Sequence, residues 1–128
     1  MFDVKGLMWQ TDSMDAEELS ERLMEFALRV AKMTRALPAD VAARNAAGQV
    51  IRSSSSTAAN YRASQRGKSR KDFINKVKIA VEEADESAFW LEYIERLEII
   101  PAQKLVSLRK EAEEIVKILA AIRRSAGE

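Results

Sequence analysis

No cysteine and no histidine occur among the 128 residues, and glycine (four), proline (two) and aromatic side chains (6%) are sparse. The first two absences exclude a disulfide framework, a thiol nucleophile, a Ser-His-Asp triad, a zinc finger and a Glu-x-x-His di-iron motif. No apolar run approaches the roughly 18 residues that a membrane span needs. At 47% apolar and 32% charged residues the chain is too hydrophobic for a solvated tail. Its length suits one domain. The start, Met1-Phe2-Asp3-Val4-Lys5, has neither the basic opening nor the apolar stretch of a secretory signal, so a cytoplasmic chain is expected. No cofactor or metal is expected.

The formal net charge is +1, and its distribution carries more than its sum. Residues 52–78 hold Arg52, Arg62, Arg66, Lys68, Arg70, Lys71, Lys76 and Lys78 against Asp72 alone. Residues 79–100 reverse the sign, with Glu82, Glu83, Asp85, Glu86, Glu92, Glu95 and Glu98 against Arg96. Two strongly charged blocks therefore lie back to back.

Apolar periodicity predicts four helices, and nothing alternates with the period of two that a half-buried strand shows. The first runs from about Asp15 to Leu37 on the seam Leu19, Leu23, Phe26, Val30, Met33 and Leu37, capped by Ser13 or Asp12 and ended before Pro38. The second, about Asp40 to Arg62, contains Gly48 and the run Ser53-Ser54-Ser55-Ser56-Thr57, for which a low-complexity linker is the competing reading. Helical spacing of Val41, Gly48, Ile51, Ser55, Ala58 and Arg62 favours a helix packed through small residues, a use that outweighs phosphorylation of the serines.

Gly67 then breaks the chain, and Ser69-Arg70-Lys71-Asp72 resembles a capping box that opens a third helix to about Leu97. That helix carries a stripe Phe73, Val77, Ala80, Ala84, Ser87, Leu91 and Ile94, and a second through Ile74, Val81, Ala88 and Leu91, with Trp90 and Leu97 beside them. Two stripes are more than one bundle seam requires. Pro101 starts the fourth helix, whose seam is Leu105, Leu108, Ala112, Ile115, Leu119 and Ile122, with Arg123 and Arg124 suiting the negative end of its dipole. Short connections make these an all-α, up-down-up-down antiparallel four-helix bundle over residues 14–128, preceded by a tail of residues 1–13.

Three blocks go beyond a generic bundle: Gln49-Val50-Ile51-Arg52-Ser53-Ser54, Ala59-Asn60-Tyr61-Arg62-Ala63, and Ser69-Arg70-Lys71-Asp72-Phe73-Ile74-Asn75-Lys76-Val77-Lys78-Ile79-Ala80. With Glu83-Ala84-Asp85-Glu86-Ser87 and Phe89-Trp90-Leu91-Glu92, they closely resemble the bacterial 23S rRNA-intervening-sequence proteins. The accessory variability determinant of diversity-generating retroelements is related to that family. The resemblance implies an up-down bundle, a homopentameric ring and no catalytic residues. Its retroelement relative implies partnership with nucleic acid and a reverse transcriptase, although that relative is usually far more basic than this chain.

The residues therefore offer two candidate surfaces. Arg62, Arg66, Lys68, Arg70 and Lys71 form a phosphate-binding patch for RNA or DNA, with Tyr61 as the one aromatic before Phe73 and hence little base stacking. Asn60, Arg62, Asp85, Glu86 and Trp90 are candidates for a subunit interface, because a basic edge can meet an acidic one in a heterologous contact. Arg52 and Arg62 are expected to pair with Asp85 or Glu86 in the same or a neighbouring subunit. The acidic run without histidine is expected to be a solvated or bridging face and not a metal or acid-base site. A protein-interaction scaffold with no affinity for nucleic acid is the alternative function.

Overall fold

The computed structural model describes residues 14–127, which form four helices: α1 (Ala16–Thr34), α2 (Val41–Ser64), α3 (Arg70–Leu97) and α4 (Gln103–Ser125). The tail of residues 1–13 lies outside the described residues, and with it the proposed caps Asp12 and Ser13. Asp15 caps α1 instead, its Oδ1 accepting the Glu18 N–H at 2.8 Å. Asp40 caps α2 by accepting from Ala43 at 2.9 Å, and Ser69 caps α3 by accepting from Asp72 at 3.1 Å. Each carboxylate or hydroxyl satisfies a backbone donor that has no partner within the first turn. The Asp72 carboxylate accepts the Lys68 N–H at 3.3 Å, so the return bond of the box reaches one residue before the cap.

Consecutive helices pack antiparallel, α2 against α3 most closely and α1 against α4 least. The seams of α1, α3 and α4 lie where apolar spacing puts them. Leu19, Leu23, Phe26, Val30 and Met33 are buried, as are all seven residues of the first α3 stripe and all six of the α4 seam. Helix α1 stops at Thr34, three residues short of Leu37. Arg35, Ala36 and Leu37 donate three residues back in tightened turns, and the Thr34 hydroxyl bonds the Ala31 carbonyl at 2.7 Å.

Helix α2 is a helix throughout, but its expected packing face is wrong by more than a third of a turn. Val41 is 84% exposed, Ile51 is 40% exposed, and Gly48, Ser55 and Arg62 also face outward; Ala58 alone of that set is buried. The buried face is Ala43, Ala46, Val50, Ser53, Ser54, Thr57, Ala58, Tyr61 and Ser64. The physical reason is steric. Small side chains let α2 approach α3 until Ser53 Oγ and Ser87 Oγ stand 2.8 Å apart, flanked by Ala46, Ala80 and Ala84. The hydroxyls stay satisfied because they bond carbonyls of their own helix: Thr57 to Ser53 at 2.8 Å, Ser64 to Tyr61 at 2.6 Å and Ser87 to Glu83 at 3.0 Å.

Tyr61 is fully enclosed. Burial pushes its phenol well above the usual range, and the nearby Asp15 charge adds to the effect. On the outside of the α2–α3 pair Arg52 donates from one guanidinium nitrogen to both oxygens of Glu83, each at 3.1 Å, and from the other to Glu86. Glu83 holds the Arg52 guanidinium above its ordinary pKa, with Glu86 adding to it. Across the looser α1–α4 seam Arg22 donates to both oxygens of Glu111 at 2.8 and 2.9 Å and to Glu114 at 3.0 Å, and Arg29 donates to Ser107 at 2.8 Å.

Candidate nucleic-acid interface

One end of the bundle is built from the last turn of α2, the α2–α3 turn, the first turn of α3, the last turn of α4 and the first turn of α1, the last of these bringing the exposed acids Asp15, Glu17 and Glu18. The turn is fixed locally. Gln65, Arg66 and Gly67 donate three residues back, and a Cβ at Gly67 would stand 3.1 Å from the Ser64 carbonyl oxygen, so glycine fits there. Ser69 then caps the next helix.

The structure brings Arg62, Arg66, Lys68 and Lys71 to this end as exposed side chains, and none of them makes an ion pair among the described residues. Arg70 has a different task. Its Nε donates to the Ala126 carbonyl at 2.6 Å, and its guanidinium lies against Gly127, whose φ of +100° suits a residue without a Cβ. It thereby fastens the end of α4 to the α2–α3 turn. This tie brings in two cations that the sequence reading assigned only to the helix dipole, exposed Arg124 and half-buried Arg123. Antiparallel topology is the signal that finds them, because the end of a fourth helix must return to the second turn.

Tyr61 and Phe73, the nearest aromatic residues on α2 and α3, are both fully buried, so neither offers a ring for base stacking. Among the described residues the end therefore offers charge that attracts phosphate and no exposed ring from α2 or the start of α3 for stacking.

The residues proposed for a subunit contact lie on the exterior of the α2–α3 pair. Asn60 is half-buried and donates to the Ser56 carbonyl and hydroxyl at 2.9 and 3.0 Å. Asp85 is exposed, while Glu86 is engaged by Arg52 of its own chain. Arg62 makes no bond to either acid; the Ser53–Ser87 contact places it level with Lys78, about two turns from them along the axis. Trp90 is half-buried within an exposed cluster, its ring centroid 4.9 Å from Phe89 and 5.1 Å from Tyr93, both near edge-on. Tyr93 belongs to this cluster and escaped the sequence reading because period-counting gave it no stripe.

The acidic block is largely spent on ion pairs. Besides Glu83 and Glu86, Glu95 meets Arg109 at 3.0 Å and Glu92 meets Arg96 at 2.8 Å. Among the described residues no group of acids is arranged to hold a metal ion, and no helix is long and apolar enough to cross a membrane.

Together these features define an all-helical bundle with separated charged surfaces and no assembled catalytic constellation among the described residues. The chain belongs to the 23S rRNA-intervening sequence protein family, whose model matches residues 17–121. It is similar to a crystal structure of a protein of unknown function from the S23 ribosomal protein family of Bacteroides thetaiotaomicron. The two share 33% identity and a TM-score of 0.76, covering 83% of this chain and 98% of that one. No curated protein matches the chain.

Proposed function

We propose that this chain is a non-enzymatic, self-associating cytoplasmic protein that binds the phosphate backbone of RNA or DNA through the basic end of its bundle. The observation that carries the reading is the convergence of Arg62, Arg66, Lys68, Lys71 and Arg124 from three helices and a turn, exposed and without ion pairs among the described residues. Arg70 contributes by holding that end together. Burial of the local aromatics supports recognition by charge without base preference. The family's association with intervening sequences of ribosomal RNA genes is in keeping with a nucleic-acid partner. A homopentameric ring, with Asn60, Arg62, Asp85, Glu86 and Trp90 near its contacts, and service as accessory to a reverse transcriptase are the narrower forms of the same reading.

The test is binding of mixed-sequence RNA and DNA at two salt concentrations, beside a variant carrying Arg66→Gln, Lys68→Gln, Lys71→Gln and Arg124→Gln. With about four phosphate contacts, affinity should fall about 50- to 150-fold between 50 and 200 mM salt, and the variant should lose most of that slope. Absence of binding even at low salt would leave the protein-interaction scaffold as the function.

A further inference from the structure

The basic end of the bundle is one-sided. Where the first turn of α1 comes up to it, Asp15, Glu17 and Glu18 are exposed, and none of them pairs with a cation among the described residues. A phosphate backbone crossing α1 would meet three carboxylates, whose charge repels its own. Down the α1–α4 flank the acids continue, with Glu111 and Glu114 sharing the one guanidinium of Arg22. On the α2-facing side of α3 the cations give way to exposed Ile79 and then to Glu83 and Glu86.

The α3–α4 flank differs. Two ties fix how these helices lie side by side: Arg70 Nε donates to the Ala126 carbonyl at 2.6 Å near the basic end, and Arg109 meets Glu95 at 3.0 Å near the other. At 1.5 Å per residue on antiparallel helices, these contacts set Lys78 level with Arg124 to within about a turn. The helical spacing agrees. Between Arg70 and Glu95, the two residues tied to α4, the same row runs through Ile74, Val81 and Ala88, all half-buried against the core. Lys78 lies between Ile74 and Val81 on the solvent side of that row. On α4 the row from Arg109 runs through half-buried Val116 and Ala120, and Arg124 follows Ala120 by one turn.

Lys78 and Arg124 are both exposed, and neither makes an ion pair among the described residues. Lys71 stands on α3 about 10 Å nearer the end. Half-buried Arg123 is likewise without an acid. Among the described residues the first acids on this flank are Glu82 of α3 and Glu113 of α4, about one turn beyond Lys78 and about three beyond Arg124. Of the ways out of the basic end, this one alone continues its charge and exposes it.

We infer that a bound RNA or DNA backbone leaves the basic end along the α3–α4 flank, with Lys78 as a further phosphate contact beside Arg124, and not across the first turn of α1. The inference rests on the proposed phosphate binding and gives it a direction.

Two measurements on the full chain test it, both with mixed-sequence RNA and DNA oligonucleotides as probes. In the first, Lys78→Gln is compared with Lys32→Gln, which removes an exposed cation from the opposite end of the bundle. Loss of one phosphate contact should make the fall in affinity between 50 and 200 mM salt about 3-fold smaller for Lys78→Gln, while Lys32→Gln keeps the parent's salt dependence. The second uses the absence of native cysteine. Chains carrying Lys78→Cys or Glu17→Cys, each labelled with a thiol-directed photo-crosslinker, are irradiated with the oligonucleotide at low salt. Both positions are exposed, so both chains should keep the parent helix content. Residue 78 should crosslink several-fold more than residue 17. A parent that binds while Lys78→Gln keeps the full salt dependence, or while residue 17 crosslinks as well as residue 78, overturns this path and leaves phosphate binding standing. A parent that binds neither probe at low salt overturns both.

Discussion

The Arg22 clamp gives the sharpest test of how the bundle closes. Helices α1 and α4 are the loosest of the neighbouring pairs, and one guanidinium shared between Glu111 and Glu114 bridges them beside their buried apolar seams. In Arg22→Met the aliphatic stem remains and the fork is lost. Glu111, whose side chain is 19% exposed, is then left without its cation. An exposed pair contributes under about 1 kcal/mol and a charged hydrogen bond about 1.5–3, so a half-buried bidentate pair should cost about 1–2 kcal/mol. That corresponds to a Tm lower by about 3–8 °C for a domain of this length.

The pH dependence separates lost charge from lost packing. The Arg22 hydrogen bonds hold the Glu111 carboxyl below its ordinary value, with burial partly opposing them. A carboxylate depressed in the folded state contributes stability above its unfolded pKa, about 4.3, and loses it as pH falls through the lower folded value. Urea unfolding should therefore show the full deficit of Arg22→Met at pH 7 and a smaller one below about pH 4. A deficit equal at pH 7 and pH 3 would mean that packing, not the ion pair, holds the seam. A double-mutant cycle with Glu111→Gln should return a coupling of about 1 kcal/mol, and zero coupling would refute the clamp.

Two further outcomes follow from the backbone and the α2–α3 contact. Glu98 ends α3 with φ of 55°, a left-handed conformation that costs a side chain about 1 kcal/mol, so Glu98→Gly should raise the urea midpoint with an unchanged slope. Ser87→Leu forces a larger group against Ser53 and should destabilise by about 1–3 kcal/mol, measured by the same unfolding, whereas Ser54→Ala should stay within about 1 kcal/mol.

Three of the four helices could be read from their spacing because their buried faces are written in Leu, Ile, Val and Phe. Leu119 and Ile122 have no other reason to recur as they do. Helix α2 defeats the same procedure because its interior face is Ala, Ser and Thr, whose hydropathy barely differs from that of its exterior. The eye is drawn to Val41 and Ile51, and both face outward. Existence of the helix was legible in its alanine content and the helical spacing of its small residues; its rotation was not, since that is decided by how near α3 can come.

The basic patch shows the same division. Arg62, Arg66, Lys68 and Lys71 stand out in a linear reading because they are neighbours in the chain. Arg124 reaches the same end only through the return of α4, and Arg70 turns from ligand candidate to fastener through a bond spanning 56 positions. Arg52 is likewise withdrawn by Glu83 and Glu86 on the next helix. Partners separated by thirty or more residues have no signature in a local window, even where both charges are visible.

The buried hydroxyls of α2 have a consequence for divergence between relatives. Because Ser54, Thr57 and Ser64 bond carbonyls of their own helix, exchanging one for alanine strands no donor on a facing helix. Such positions can drift between hydroxyl and methyl with little effect on the fold, while volume there stays tightly constrained. Size, and not polarity, is the character that substitutions along this face should preserve.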